Sequence, residues 1–566
     1  MRALLPLTLI SLAALIPVAN GYSKYTDPIK IMTPDANGVY AYDMLVTKKL
    51  TMSFNNDNPA KHATPVDYHY EAQNWTKREP DQLQDCFLSH EFNPHSNPID
   101  GNAMADVLVA DGLHKRVITI NGDMPGAPIV VPYMSEVWIR VTNAILMDSM
   151  TIHVHGIDKH GMWYMDGVAF VQQCPIQSTN RFEYRFIADN KGTHWYHGHM
   201  QTDRGDGIAG GTDWATKVGE EAWMQLEDKT MKWMYGYDDF TKCWEPTRTS
   251  DGGNVGGAVP ISAILLNNKG WYDHEIVKTQ PFNLPLERFK INKTEDILFR
   301  IVNGGVAQEL MLYVEGHQMT VVAADGDEVV PMNVDRLIVF PGERYDILIK
   351  GLATPTKKSY RIQVETIQRY FFDWKEIPIV YGFGYIEYQE DGLTEDKTAP
   401  NLMHPECTST NKCTVLNCPF QKWTAQPNFT CISYDSLENP YPEKIEKEIL
   451  QADAFNGGFE EHFINMHHDS QMDQFLFQFP FRATNPGWWF AHCHLELHLM
   501  GGTGYAYRVG NHDEIYMPPD NFPKDCGVFK VDKLPELRLP TQNSTVIPRF
   551  MFLSLLMVLV VEWFLN

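Results

Sequence analysis

The sequence predicts an all-β protein of duplicated antiparallel sandwiches or barrels, and three features of the 566 residues lead there. One segment is echoed: Glu136 to Asn143 reads EVWIRVTN and Asp296 to Asn303 reads DILFRIVN. Each copy follows a strand ending in an Asn-containing turn, TING at 119–122 and LLNNKG at 265–270, and two copies of one strand order imply duplicated β domains. The stretch VLVADGLHKRVITING, Val107 to Gly122, reads as a hairpin turning at Asp111-Gly112 between β-branched runs. No long amphipathic helical stretch interrupts these segments.

From its start, the chain has Met1-Arg2, an apolar run from Ala3 to Val18, and small residues Ala19 and Gly21, the pattern of a cleaved secretory signal over 1–21. Residues 22–95 are polar and irregular, as in NNDNPAKHATPVDYHY, and are expected to form an extension without a core of its own. The remainder, with 44% hydrophobic and 12% aromatic residues overall, is long enough for three compact domains, over 96–220, 221–395 and 396–530. A tail at 531–566 ends in the apolar run Phe550 to Leu565, with no Lys or Arg after it. That pattern fits a glycolipid-anchor signal with a small-residue site near Asn543-Ser544, with a single C-terminal membrane helix as the alternative.

A net charge of −24 argues against a nucleic-acid partner and suits a secreted glycoprotein. Acceptor sequons at Asn74, Asn292, Asn428 and Asn543 point to the same compartment. So do nine cysteines: with Cys493 set aside as a metal thiolate, the rest are an even number suited to disulfides. Cys407, Cys413, Cys418 and Cys431 are close enough in sequence to pair locally, and Cys86 with Cys526 and Cys174 with Cys243 are the expected remaining pairs.

The densest chemistry lies in NPGWWFAHCHLELHLMGGTG, Asn485 to Gly504. If Trp488 to Leu495 is a strand, Cys493 faces one way while His492 and His494 face the other, so one strand serves two sites. A thiolate with imidazoles and a weak axial group is a blue-copper ligand set, and imidazoles alone suit further copper ions. His498 could return to the thiolate's side. The competing readings are a zinc site and a His-rich barrel rim around an ordinary buried cysteine. Two further pairs, His153 and His155 in TIHVHG and His197 and His199 in GTHWYHGHM, have the same spacing. Three such pairs in one chain favour metal over the rim.

The segments IHVHG, WYMDGVAFVQQCPI, GTHWYHGH and NPGWWFAHCHLELH resemble the multicopper oxidases, in particular animal laccase-like members. Family-like segments run from about Asp106 to Gly510, including PGERYDILIKG, Pro341 to Gly351, and LNCPFQ, Leu416 to Gln421. The resemblance implies three cupredoxin-like Greek-key domains, a copper cluster between the first and third, and a blue copper in the third. It implies His153 on the type 2 ion, His155, His197 and His494 on one type 3 ion, and His199 and His492 on the other. Cys493 and His498 would hold the type 1 ion, with His492, Cys493 and His494 forming the electron path.

The sequence departs from the family pattern in two places. It has no His-Pro-x-His-x-His-Gly motif; HFINMHHD, His462 to Asp469, has Phe463 for the proline and Asn465 at the central position. A third domain short of several strands, and fewer copper ions than the family's four, are therefore expected. The axial position falls on Thr503, with Met500 as a nearby substitute.

The function these features predict is an extracellular oxidase that couples oxidation of phenols, catechols or ferrous iron to reduction of dioxygen, held at the cell surface by its tail. The alternatives are an impaired copper-binding variant with a binding or regulatory role, and a structural ectodomain. Glu496, between two expected ligands, invites a role in iron oxidation, against the plainer reading of a structural or solvated glutamate.

Overall fold

Side chains from Glu136 to Asn143 alternate between half-buried and buried, with Val137, Ile139 and Val141 turned inward. That is the period of two expected of a strand with one wet face. On the wet face, Trp138 lies 3.9 Å beneath the Arg185 guanidinium. A computed structural model of the chain describes residues 31–54, 64–69, 74–77, 107–208, 213–214, 261, 263–270, 286–367, 379–394, 407–419, 423, 426–441, 483–500, 504–523 and 526. Regular structure in it is almost entirely strand.

The first domain contains β1 (Tyr40–Leu50), β2 (Arg116–Ile120), β3 (Glu136–Asn143), β4 (Ile152–His155), β5 (Arg181–Ile187) and β6 (Trp195–Gly198). Its four-stranded sheet has the order β2-β1-β3-β5, and β4 pairs with β6 in a separate two-stranded sheet. Here two sequence expectations are corrected. The supposed extension supplies β1, which pairs antiparallel with β2 and parallel with β3 and buries Met44 and Val46 in the core. The Asp111-Gly112 turn forms, with Gly112 N–H donating to Val109 O, but it closes no hairpin. β2 takes β1 as its neighbour, while Leu108 O accepts from Met52 and Ala110 bridges to Lys269. A turn signal marks a reversal and leaves the pairing partner open, and a strand from the polar N-terminal region claims that edge.

The middle domain begins with β7 (Glu287–Ile291), β8 (Asp296–Val302), β9 (Leu310–Val314), β10 (Met319–Ala324) and β11 (Asp327–Val334). It continues through β12 (Arg336–Val339), β13 (Arg344–Lys350), β14 (Ser359–Thr366) and β15 (Tyr381–Tyr388). A four-stranded sheet in the order β8-β13-β10-β11 faces a seven-stranded one in the order β7-β15-β14-β9-β12-β16-β17, where β16 is Cys413–Leu416 and β17 is Phe429–Ile432. Val321, Leu337, Tyr345, Ile347 and Ile386 fill the space between them, each fully buried aliphatic side chain contributing roughly 1.5–3 kcal/mol.

The sequence echo is also a structural one. Asn143 Oδ1 accepts from Ile145 N while its Nδ2 donates to Asp148 O and Ile176 O. Asn303 repeats the pattern with Gly305 N, Gln308 O and Val339 O. Each buried amide thus satisfies the main-chain groups that the ladder releases where the chain leaves the sheet.

Beyond the boundary expected at 396, β16 pairs in parallel with β12 and so extends the middle domain's sheet. Later in the chain, β18 (Gly487–His492) and β19 (Gly504–Val509) form a two-stranded antiparallel sheet, joined through the short helix α1 (Glu496–Met500). Residues after β19 return to the first domain, where Phe522 packs on Phe182 and Tyr164 and Trp163 Nε1 donates to Tyr516 O. A disulfide joins Cys174 to Cys526, correcting the expected pairing of each. Packing of this returning segment on the first domain brings the two residues together, which spacing along the chain could not show. Cys86 and Cys243 lie outside the described residues. The local pairs are Cys407–Cys413 and Cys418–Cys431.

Candidate metal centre

β4 and β6 place the first four histidines. His153 is directly opposite His197 in the ladder, His155 is opposite Trp195, and His199 follows the end of β6. β18 ends at His492, so Cys493 and His494 lie just beyond the ladder, a shorter strand than the sequence suggested. The three segments converge. Ring centroids of His155, His197 and His494 are 5.1–5.9 Å apart, those of His199 and His492 are 5.0 Å apart, and His153 lies 5.2–5.6 Å from His155, His197 and His199.

The hydrogen bonds orient these rings for metal binding. A carbonyl only accepts, so a ring nitrogen beside one carries the proton and leaves the other nitrogen a lone pair. Nδ1 of His153 lies 2.6 Å from Asp166 O, Nδ1 of His197 2.8 Å from Gly198 O, and Nδ1 of His492 2.9 Å from Cys493 O. Each therefore frees Nε2. His197 Nε2 and His155 Nδ1 are buried with no hydrogen-bond partner, and the candidate ligand atoms of His153, His155 and His197 all lie within 4.8 Å of one another. His199 Nε2 is 3.1 Å from His492 Nε2.

Burial, reinforced by neighbouring positive groups, pushes the pKa values of His155, His197, His199, His492 and His494 below the usual imidazole range. Neutral imidazoles with inward lone pairs and carbonyl-anchored N–H groups are the donor set a transition metal takes, so these residues fit copper.

Four neighbours escaped the sequence reading. Asp166 follows a short 3-10 turn at Trp163–Met165 and accepts from Lys159 Nζ at 2.7 Å. Burial alone would raise its pKa, but Lys159 and His153 hold it well below the carboxylate range. Arg204, in the turn after His199, donates to His494 O at 2.8 Å and contacts its Nδ1 at 2.9 Å. The Nδ1 contact uses a lone pair of the Nε2–H tautomer. With a metal on Nε2, only the bond to the carbonyl persists. Thr193 bridges to the middle domain, donating to Asp346 Oδ1 at 2.6 Å and accepting from Arg300 at 2.7 Å. Arg344 of the middle domain donates to Thr193 O. Asp166 lies inside the family-like segment WYMDGVAFVQQCPI, a signal the sequence carries; the other three are brought to the site only by the fold.

Glu496 is buried, with Oε1 3.9 Å from Arg204 Nε and its N–H donating to Val306 O, which removes it from a surface role in iron oxidation. Cys493 is free of disulfides. The side chain of His498, Thr503 and the whole of HFINMHHD lie outside the described residues, and Met500 closes α1 half-buried. Of the sequons, Asn292 is an exposed turn residue donating to Glu295, Asn74 and Asn428 are described, and Asn543 is not. Among the described residues, no helix is long and apolar enough to cross a membrane.

Family profiles for multicopper oxidases match residues 102–213, 234–390 and 472–513, together more than half of the chain. The chain belongs to the multicopper oxidases, a family of cupredoxin-like domains whose cofactor is copper. Laccase-1 of Botryotinia fuckeliana is 29% identical over 44% of this chain and 41% of its own, so the match spans about two fifths of that relative's length. Laccase-3 of Trametes villosa is 23% identical over 75% of this chain and 91% of its own. The crystal structure of a multicopper oxidase that functions in iron import is similar with a TM-score of 0.43 at 18% identity, covering 83% of this chain and 90% of that one.

Proposed function

We propose that the chain is a secreted, copper-dependent oxidase of laccase or ferroxidase type, coupling one-electron oxidation of a small phenol, a catechol or ferrous iron to reduction of dioxygen to water. One observation carries this: six imidazoles from three segments meet at one junction, three of them with Nδ1 beside a main-chain carbonyl and Nε2 left with its lone pair. His153 would hold the type 2 ion, His155, His197 and His494 one type 3 ion, His199 and His492 the other, and Cys493 with His498 the type 1 ion. Bound copper would supply the one-electron redox chemistry and the reduction of dioxygen. The protein supplies geometry. Burial pushes the pKa values of His155, His197, His199, His492 and His494 down, carbonyls fix the tautomers of His153, His197 and His492, and the bonded sequence His492-Cys493-His494 links the thiolate to the imidazole cluster. The disulfides suit an oxidising compartment, and the apolar C-terminal run suits a surface anchor.

A second reading has an observation of its own. The sequence contains no His-Pro-x-His-x-His, so two of the family's cluster histidines and one blue-copper histidine lack a motif to supply them. The chain would then be a partly loaded copper-binding variant with weak turnover. Copper analysis of the purified protein, with oxygen uptake on ferrous iron and on a catechol, separates the two. About four ions with uptake supports the oxidase and fewer ions without uptake supports the variant. A copper-free protein overturns both and leaves a structural ectodomain.

A further inference from the structure

Gly342 lies on the turn between β12 and β13 with φ at +91°, where a side chain is strained. The space beside it is taken as well. A Cβ at Gly342 would come within 2.9 Å of His494 Cε1, 3.0 Å of Nε2 and 3.1 Å of Nδ1, closer than side chains pack. His494 needs an outside support, because the β18–β19 ladder ends at the His492–Gly504 pair and holds the main chain no further. Arg204 grips its carbonyl from the first domain. The Gly342 turn is itself tied down: Arg344 NH1 donates to Gly342 O at 3.2 Å, and the same guanidinium reaches Thr193 O at 3.3 Å and Asp325 Oδ1 at 2.8 Å. Thr193 leads directly into the strand that carries His197.

We infer that Gly342 is a positioning residue for His494. The middle domain supplies none of the six imidazoles, yet its bare main chain sets where one of them stands. A methyl group here drives the ring from its place opposite His155, 5.1 Å away between centroids. The inference rests on His494 being a metal ligand.

A matched control sits on the same domain boundary. Gly326 has φ at +98°, and a Cβ there would come within 2.8 Å of His194 Cε1 and 2.9 Å of Lys191 O, away from the six rings. The test is calorimetric titration of the metal-stripped full-length protein with cupric ion, comparing wild type, Gly342→Ala, Gly326→Ala and His494→Ala. The expected result is binding weakened about tenfold or more in Gly342→Ala, or one ion lost as in His494→Ala, while Gly326→Ala binds like wild type. Equal losses in the two glycine variants would show general damage to the domain boundary and overturn the inference, as would normal binding by Gly342→Ala beside a defective His494→Ala. Normal binding by His494→Ala overturns the ligand reading and the inference with it. Should Gly342→Ala not fold, a crystal structure of copper-loaded wild type decides: the His494 ring in contact with Gly342 supports the assignment, and a ring turned away from it overturns it.

Discussion

His199, just after β6 of the first domain, and His492, at the end of β18, face one another with their Nε2 atoms 3.1 Å apart. His492 keeps its proton on Nδ1, beside Cys493 O, so its lone pair points at His199. A shared ion predicts non-additive behaviour. His199→Ala and His492→Ala should each lose the same bound copper, and the double variant no more than either. Copper stoichiometry of the three proteins checks this, and losses that add would contradict a shared ion.

Lys159 and Asp166 form a buried charge pair beneath the cluster, with Lys159 Nζ also donating to Val154 O at 2.8 Å. Asp166→Asn leaves an uncompensated buried ammonium and should cost about 3–5 kcal/mol. Adding Lys159→Met should recover part of that loss. Urea unfolding of the single and double variants measures it.

Glu343 sits beside the Gly342 turn, where it accepts from Phe340 N and Asn417 Nδ2. Burial raises its pKa to about 7, against the opposing effect of those donors. The folded chain therefore holds this proton more tightly than the unfolded chain. The stabilisation is full below the unfolded value, near 4.5, and is lost as pH rises through about 7. Glu343→Gln should match wild type near pH 4 and exceed it near pH 8, by on the order of 2 kcal/mol. Unfolding midpoints at the two pH values test the sign.

The Cys174–Cys526 bridge fastens the returning segment to the first domain, where Phe522 is already packed. Replacing both cysteines by serine should cost about 2–5 kcal/mol and expose residues 511–526 to proteolysis before either sheet domain. Mass spectrometry of early fragments would show the order.

Much of this was legible in local sequence. The strand echo at Glu136 and Asp296, the three histidine pairs and the family were readable because alternation and His-x-His spacing are local properties. What stayed hidden was long-range. β1 lies in a stretch whose polar composition masked it, and its parallel pairing with β3 leaves no local signature. Cys174 finds Cys526 across 352 residues. Arg204 and Gly342 reach His494 from two other domains, and no spacing along the chain announces such a meeting. Glu496 looked available because its neighbours in sequence are ligand candidates. Burial beside Val306 and Arg204 gives it a different setting.

The central claim is that the six imidazoles at the domain junction hold copper, and copper content measured beside a variant tests it most directly. Wild-type protein and the triple variant His155→Ala, His197→Ala, His494→Ala should be purified from copper-supplemented cells and analysed by atomic absorption. The account predicts copper in the wild type and a loss of at least one ion per chain in the variant. Equal copper in the two proteins, or none in the wild type, would contradict it.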